Sequence, residues 1–277
     1  MRRQSESMNK KTLAFPYIVW AAAFIVIPLC MVFYYGMTDK TGAFTLSNII
    51  TIATAEHSKA LLLSLELSFV STVICFILAY PLAMILTNMH VSTHSFIVLI
   101  FILPMWMNFL LRTLAWQTLL EKTGVINNVL AFLHLPALDI INTPGAIILG
   151  MVYNFLPFMV LPIYNALCKI DGNVINAARD LGANGIQTFL RITLPLSLPG
   201  IISGITMVFI PALTTFVIST LLGGSKILLI GNVIEQEFTQ TGNWHLGSGL
   251  SIVLMIFIIV NMVVEAVFDR EGEGNKL

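Results

Sequence analysis

The chain has 277 residues, of which 57% are hydrophobic and 10% are charged, and its mean hydropathy is +0.90. Because ordinary soluble domains carry about 25% charged residues, this composition excludes a soluble enzyme, a disordered protein and a nucleic-acid-binding domain. Basic and acidic residues number 14 each, so the net charge is zero and indicates no polyanionic partner such as nucleic acid. We therefore expect a protein that resides in a lipid bilayer.

Six apolar segments reach the length of about 20 residues that a helix needs to cross a bilayer. Backbone groups inside a bilayer must be satisfied within the structure, and the alternating pattern of barrel strands, over ~10 residues, is missing from the sequence. We therefore predict an all-α, polytopic protein whose residues 1–277 form a single transmembrane domain with six transmembrane helices. A shorter apolar stretch at 125–138 predicts an interfacial or re-entrant piece. The predicted spans are 13–36, 61–87, 95–118, 144–167, 199–222 and 247–268.

The lysines and arginines favour an orientation with the N-terminus in the cytoplasm. In that orientation nine of the 14 basic residues fall on the cytoplasmic side, as the positive-inside rule requires. An even number of spans then places the C-terminus on the same side. The 88–94 loop departs from the rule, since it should lie inside and contains no lysine or arginine.

The long predicted cytoplasmic loop, 168–198, carries the clearest pattern in the sequence. Asp171 is a good N-cap for a short helix, and Gly182 lies where a left-handed C-cap would end that helix. Asn184 followed by Gln187 resembles a capping box for a second short helix. The loop therefore predicts two short helices joined by a glycine turn.

The same loop resembles the coupling motif of ABC importer permeases, E-A-A-x-x-x-G followed after nine residues by I-x-L-P. Asn176 stands where that family has glutamate, and Pro195 is expected to end the second short helix before the fifth span. In the family this loop docks in a groove of the ATPase subunit, so the resemblance implies a role in ATPase coupling. An ordinary amphipathic loop between two spans is the alternative. The residues assigned to coupling are Asp171, Asn176, Ala177, Ala178, Asp180, Gly182, Ile192, Leu194 and Pro195.

Further segments resemble the spermidine/putrescine group of these permeases, namely 103–112, 157–164, 177–183 and 228–234. The resemblance implies a type I ABC importer permease fold in the bacterial inner membrane. It also implies a second homologous permease, two ATPase subunits and a periplasmic substrate-binding protein as partners. A permease for another small solute (an opine, an amino-acid-like compound or ferric iron) is one alternative, and a stand-alone channel or ion-driven carrier is another.

No catalytic residues are assigned. The phosphate-binding pattern G-x-x-x-x-G-K-[ST] is missing from the sequence, so we expect ATP and Mg²⁺ on the partner ATPase and no cofactor in this chain. His90 and His94 are four residues apart, but a zinc site needs three or four ligands and no cysteine or carboxylate lies nearby. We therefore expect neither an enzyme nor a metal site.

Charged side chains inside predicted spans are costly and usually face a bundle interior or a water-filled cavity. Glu66 and Arg112 lie roughly 8–9 Å below the outer ends of their spans, at ~1.5 Å of rise per residue. They are expected to pair, or to face the outer half of a transport pathway; an ion pair that only sets helix register is an equal alternative. The other candidates for the pathway are Trp106, Asn108, Tyr153, Asn154 and Glu237.

Small residues predict where helices pack closely. One such set is a G-x-x-x-G pattern in the fifth span, Gly200 to Gly204. Another is a small polar stripe in the second span, formed by Ser64, Ser68, Ser71, Thr72 and Cys75.

Overall fold

The computed structural model describes residues 15–87, 103, 105–224 and 226–274. Within these ranges β-structure is limited to an isolated bridge between Thr38 and Phe44, so the all-α prediction is confirmed. The helices are α1 (Phe15–Gly36), α2 (Ser47–Ile50), α3 (Ala55–Thr87), α4 (Phe109–Leu120), α5 (Val125–Phe132), α6 (Pro144–Cys168), α7 (Gly172–Asp180), α8 (Gly185–Thr214), α9 (Val217–Leu222), α10 (Ile230–Thr239) and α11 (Trp244–Gly274).

Within the described ranges, five helices are long and apolar enough to cross a membrane, namely α1, α3, α6, α8 and α11. The predicted first, second, fourth and sixth spans are therefore confirmed, although α3 already begins at Ala55. The predicted third span, 95–118, lies partly outside the described residues, and its described end forms α4. The short apolar stretch at 125–138 contains α5, a helix of eight residues.

The predicted fifth span, 199–222, is wrong as a single helix. A continuous helix, α8, starts at Gly185 and ends at Thr214, and Thr215 then adopts an extended conformation with φ −66° and ψ 139°. Pro195 does not end a helix: a π-helical turn over Phe189–Thr193 is followed by an α-helical stretch that starts at Leu194, and Pro195 lies in its first turn, where a proline is tolerated. The chain after the α7–α8 turn therefore runs into the span without interruption.

The described chain divides into two compact units. The first comprises residues up to 57 together with 234–256, and the second comprises 58–233 together with the residues from 257 onward. In the first unit Gly36 packs so closely that a Cβ there would come within 3.2 Å of the Gly249 backbone. The single domain over 1–277 stays a prediction.

Close packing of α6 against α8 forms the centre of the second unit. A Cβ on Gly200 would lie 2.6 Å from the Pro162 carbonyl oxygen, and one on Gly204 would lie 2.8 Å from the Met159 sulfur. The packing role predicted for this glycine pair is confirmed. The small polar stripe of α3 is also buried, from 0% exposure at Ser64 to 5% at Thr72, and Ser71 donates a hydrogen bond to the sulfur of Met151.

Hydrogen bonds of one buried side chain, Asn232, stabilise the break between α8 and α9. The Asn232 side chain is 3% exposed; its Nδ2 donates to the Phe216 carbonyl (3.0 Å) and to Thr220 Oγ1 (2.8 Å). Its Oδ1 accepts from Leu229 N and from the Ser219 hydroxyl. The amide thus provides an acceptor for the Leu229 N–H and adds a donor to the Phe216 carbonyl, which also accepts from Thr220 N at 3.0 Å.

Candidate functional site

The turn between α7 and α8, residues 181–184, is built by local hydrogen bonds. The Gly182 N–H donates to the Arg179 carbonyl (2.9 Å) and the Ala183 N–H donates to the Ala178 carbonyl (3.0 Å). This pair of bonds is a Schellman motif, which places its glycine in the left-handed region, and Gly182 has a φ of +87°. No other atom lies within 4 Å of the position of a Cβ there, so the backbone angle alone favours glycine at this point.

Both predicted helix caps beside this turn are confirmed. Asp171 accepts a hydrogen bond from Asn173 N at 2.9 Å and begins α7. Asn184 accepts from Gln187 N at 2.8 Å while Gln187 accepts from Asn184 N at 3.0 Å, which completes the capping box at the start of α8. The turn therefore has a defined shape that depends on its own residues.

The turn presents apolar side chains to its surroundings. Leu181 is 89% exposed and Ile186 is 72% exposed, while Ala178 is buried. Leu181 continues the apolar side of α7, where Val174 and Ala177 are exposed as well, so this side of the helix is largely uncovered. Such a surface suits a groove on another protein, because exposed apolar patches mark interaction sites. Around these two side chains, the exposed residues assigned to coupling are Asp171, Asn176, Ala177, Asp180, Gly182 and Pro195.

Contacts among buried and half-buried side chains join this turn to the spans. The Phe189 ring, at the start of the π-helical turn, meets the edge of Tyr80 on α3 with centroids 5.6 Å apart. The Tyr80 hydroxyl lies 2.8 Å from Ser197 Oγ on α8, and both side chains are buried. Ile192 and Leu194 are half-buried on the same helical segment. A displacement of the turn would therefore act directly on α8 and α3.

The two charged candidates for the pathway lie in different environments. Arg112 on α4 is 7% exposed, whereas Glu66 on α3 is exposed. Among the described residues, Lys122 forms an ion pair with Asp139 at 3.2 Å. Glu66 and Arg112 do not form an ion pair with each other. The expected ion pair is therefore not formed, and a position of Glu66 in the outer half of a transport pathway stays a prediction.

Of the polar and aromatic candidates for the pathway, some make contacts that hold helices in place and others are exposed. Asn108 caps α4, since its Oδ1 accepts from Leu110 N at 2.9 Å, while Trp106 is 77% exposed. Tyr153, on α6, meets the Trp116 ring of α4 at 5.2 Å between centroids. The structure thus brings two aromatic side chains of the predicted third and fourth spans together.

Asn154 lies about 15 Å along α6 from Pro144, at ~1.5 Å per residue, and is 1% exposed. Its Nδ2 donates to the Gly150 carbonyl at 2.9 Å, and its Oδ1 has no hydrogen-bond partner among the described residues. Glu237, in the first unit, accepts a hydrogen bond from the Thr241 hydroxyl at 2.7 Å. The roles of these residues in a pathway stay predictions, and His90 and His94 lie outside the described residues.

A cleft of about 620 Å³ in the first unit was not expected from the sequence. His245 Nδ1 lies 2.7 Å from the Thr38 carbonyl oxygen and 3.0 Å from that of Tyr35, so this nitrogen carries the hydrogen. Because the positively charged Lys40 lines the cleft, the cleft would repel a polycation. The lining residues are Met31, Tyr35, Lys40, Thr241, Gly242, Asn243, Trp244 and His245.

Comparisons with known proteins agree with this geometry. The family described as "Binding-protein-dependent transport system inner membrane component" matches residues 12–270. The chain is 36% identical over 267 residues to the spermidine/putrescine transport system permease protein PotB of Haemophilus influenzae, covering 92% of this chain and 93% of that protein. It is also 36% identical over 253 residues to PotB of Escherichia coli K12, covering 88% and 92%.

Solved structures give the same fold. A chain of a bacterial alginate ABC transporter, in complex with an alginate-bound periplasmic protein, has a TM-score of 0.77 at 17% identity and covers 98% of this chain and 96% of its own. A chain of the inward-facing MetNI methionine ABC transporter has a TM-score of 0.55 at 20% identity, with coverages of 78% and 95%. At these identities the likeness shows the fold alone, which is that of ABC importer permeases.

Proposed function

The chain belongs to the family of binding-protein-dependent transport system inner membrane components, and on that premise we propose that it carries spermidine and putrescine through the bacterial inner membrane. It acts as a transport subunit in an ATP-driven importer. The similarity to spermidine/putrescine permeases along nearly the whole chain carries this proposal. The coupling turn on a continuous helix supports the ATP-driven part of it.

The partners follow from the same premise. A second homologous permease completes the pathway, two ATPase subunits bind ATP and Mg²⁺, and a periplasmic binding protein delivers the polyamine. Both termini lie in the cytoplasm, in agreement with the distribution of basic residues. The α7–α8 turn then faces the ATPase, and this chain needs no cofactor or metal of its own.

The mechanism is alternating access. Closure of the ATPase subunits moves the turn at Gly182, and Leu181 and Ile186 hold it in the groove of the ATPase. Because the turn continues into α8 and is joined to α3 through Tyr80, the movement tilts both spans together. The pathway then opens toward the binding protein, and ATP hydrolysis resets it toward the cytoplasm.

Uptake by the assembled complex tests this function. The chain is purified in mild detergent with its second permease and ATPase and reconstituted into proteoliposomes. Radiolabelled spermidine and putrescine are supplied with the binding protein outside. We expect accumulation that requires internal ATP, with ADP-loaded vesicles as the control. Failure of the ATPase to co-purify would contradict the importer assignment, and ATP-driven uptake of another solute without polyamine uptake would contradict the substrate.

A further inference from the structure

One face of α3 is exposed and apolar along most of the helix, and a single carboxylate interrupts it. Leu62 is 65% exposed one turn before Glu66, and Phe69 is 63% exposed one turn after it. Farther along the same face Ile77 is 60% exposed. Residues three and four apart share one side of a helix, so these side chains form one surface. We call it the Glu66 face.

The opposite side of α3 is already packed. Its small polar stripe is buried, and Ser64 Oγ accepts a hydrogen bond from Ile230 N at 2.8 Å. The helix therefore cannot turn Glu66 inward without exposing this stripe and breaking that bond. The Glu66 face must meet lipid, another chain or water.

A carboxylate distinguishes these three environments. An ionised glutamate among acyl chains is costly, and its short side chain cannot reach the headgroups as a lysine can. Membrane-embedded acidic groups therefore usually face a water-filled path or a cation. Leu62 and Phe69, on the two sides of Glu66, are apolar, so the carboxylate is an isolated polar group on this face of the helix.

We propose that Glu66 is a cation-binding residue of the transport pathway, where its carboxylate pairs with an ammonium group of the polyamine and Phe69 offers its ring to the same group. This inference rests on the proposed function, which supplies a substrate with positive charges. A ring beside a carboxylate suits an ammonium, because the faces of aromatic rings attract cations. Glu66 lies about five residues below the predicted outer end of the span, roughly 8 Å deep at ~1.5 Å per residue. It is therefore an early site on the way in from the binding protein.

Transport kinetics provide the first test. Initial rates of ATP-driven spermidine uptake are measured for the wild-type complex and for Glu66→Gln, Glu66→Asp and Glu56→Gln. Glu56 lies in the first turn of the same helix and receives the same change, which makes it the matched control. We expect Glu66→Gln to lower the uptake rate at least fivefold, Glu66→Asp to recover most of it, and Glu56→Gln to match wild type. Equal uptake by wild type and Glu66→Gln would overturn the inference and leave the polyamine importer intact, whereas no uptake by wild type would overturn the function itself.

Chemical accessibility provides a test that does not depend on activity. Leu62→Cys, one turn before Glu66 on the same face, keeps the carboxylate and is made in a complex whose Cys30, Cys75 and Cys168 have been replaced by alanine. It is then treated with a membrane-impermeant, charged methanethiosulfonate reagent. We expect rapid labelling that saturating spermidine slows at least threefold. Phe24→Cys on the uncharged helix α1, where Phe24 is 68% exposed, should remain unlabelled. An unlabelled Leu62→Cys, or labelling that spermidine leaves unchanged, would overturn the inference.

Discussion

The α6–α8 contact and the α7–α8 turn are neighbours along the chain but are stabilised in opposite ways. In the contact, glycines bring distant backbones together, as Gly200 does with Pro162. In the turn, every bond that sets the shape joins residues at most five positions apart, and its side chains point outward. A substitution in the α6–α8 contact should therefore unfold the protein. A substitution in the α7–α8 turn should instead weaken the binding of the protein that the turn contacts.

The largest effect is expected from Gly200→Val. The new side chain would meet the Pro162 carbonyl oxygen and the Ala166 Cβ, both about 2.6 Å or closer to its Cβ, so the two helices must separate. We expect a loss of stability of about 3 kcal/mol or more, seen as a loss of monodisperse protein in detergent. Gly172→Ala, in open space at the start of α7, is the control. A Gly200→Val protein as abundant and heat-stable as wild type would contradict the packing account.

The next effect is expected from Asn232→Ala. It leaves the Leu229 N–H without its side-chain acceptor and removes one donor from the Phe216 carbonyl, which keeps Thr220 N, at a cost of about 1–3 kcal/mol. Thermal unfolding in nanodiscs measures the change. Asn128→Ala, which removes a single exposed hydrogen bond to the Thr123 carbonyl, should alter stability by less than about 0.5 kcal/mol. Similar losses of stability in both variants would show that the hydrogen bonds of Asn232 do not stabilise the break between α8 and α9.

Gly182→Asp should separate folding from coupling. The positive φ costs an L-residue about 1–2 kcal/mol, and the open space around it leaves the fold intact. The added carboxylate beside Leu181 should lower the ATPase activity stimulated by the loaded binding protein at least tenfold. Gly42→Asp makes the same change at a φ of +82° in the first unit and should retain that activity. Normal coupling in Gly182→Asp would remove the turn from the mechanism.

The smallest effect concerns another locally built turn, at Asp39, which lies outside the spans. The Thr41 hydroxyl donates to its carboxylate at 2.6 Å, and together with bonds from Thr41 N and Ala43 N it lowers the pKa of Asp39 below its usual range. A lowered pKa means that these bonds stabilise the turn at neutral pH and are lost as the pH falls through the folded-state value. Carboxyl NMR titration should show the low pKa, and Thr41→Val should raise it. An unchanged pKa in Thr41→Val would contradict this assignment.

Features that depend on hydrogen bonds between neighbouring residues could be predicted from the sequence, and features that depend on contacts between distant residues could not. Asp171, Gly182 and the Asn184–Gln187 box were all predicted at the positions where the structure has them, because each cap needs only residues in adjacent turns. Pro195 was misread, since a proline usually ends a helix. The π-helical turn before it is a backbone adjustment that residue types alone do not reveal.

The surroundings of the two charged pathway candidates were harder to predict. Glu66 and Arg112 were expected to pair or to face the outer half of a pathway, because both are charged and lie at similar predicted depths. The structure buries Arg112 and exposes Glu66, because the small stripe of α3 determines which side of that helix is packed. Asn108 is a helix cap as well as a pathway candidate, a role that becomes visible only once the start of α4 is known.

The sequence by itself determined that this chain is an all-helical membrane protein, which segments are apolar enough to span, and the shape of the α7–α8 turn. Composition and short-range hydrogen bonds suffice for those features. Only the tertiary structure decided where α8 ends, because the Asn232 amide that binds the Phe216 carbonyl is 16 residues away. It also decided which face of α3 is open, since that depends on which helices pack against the others.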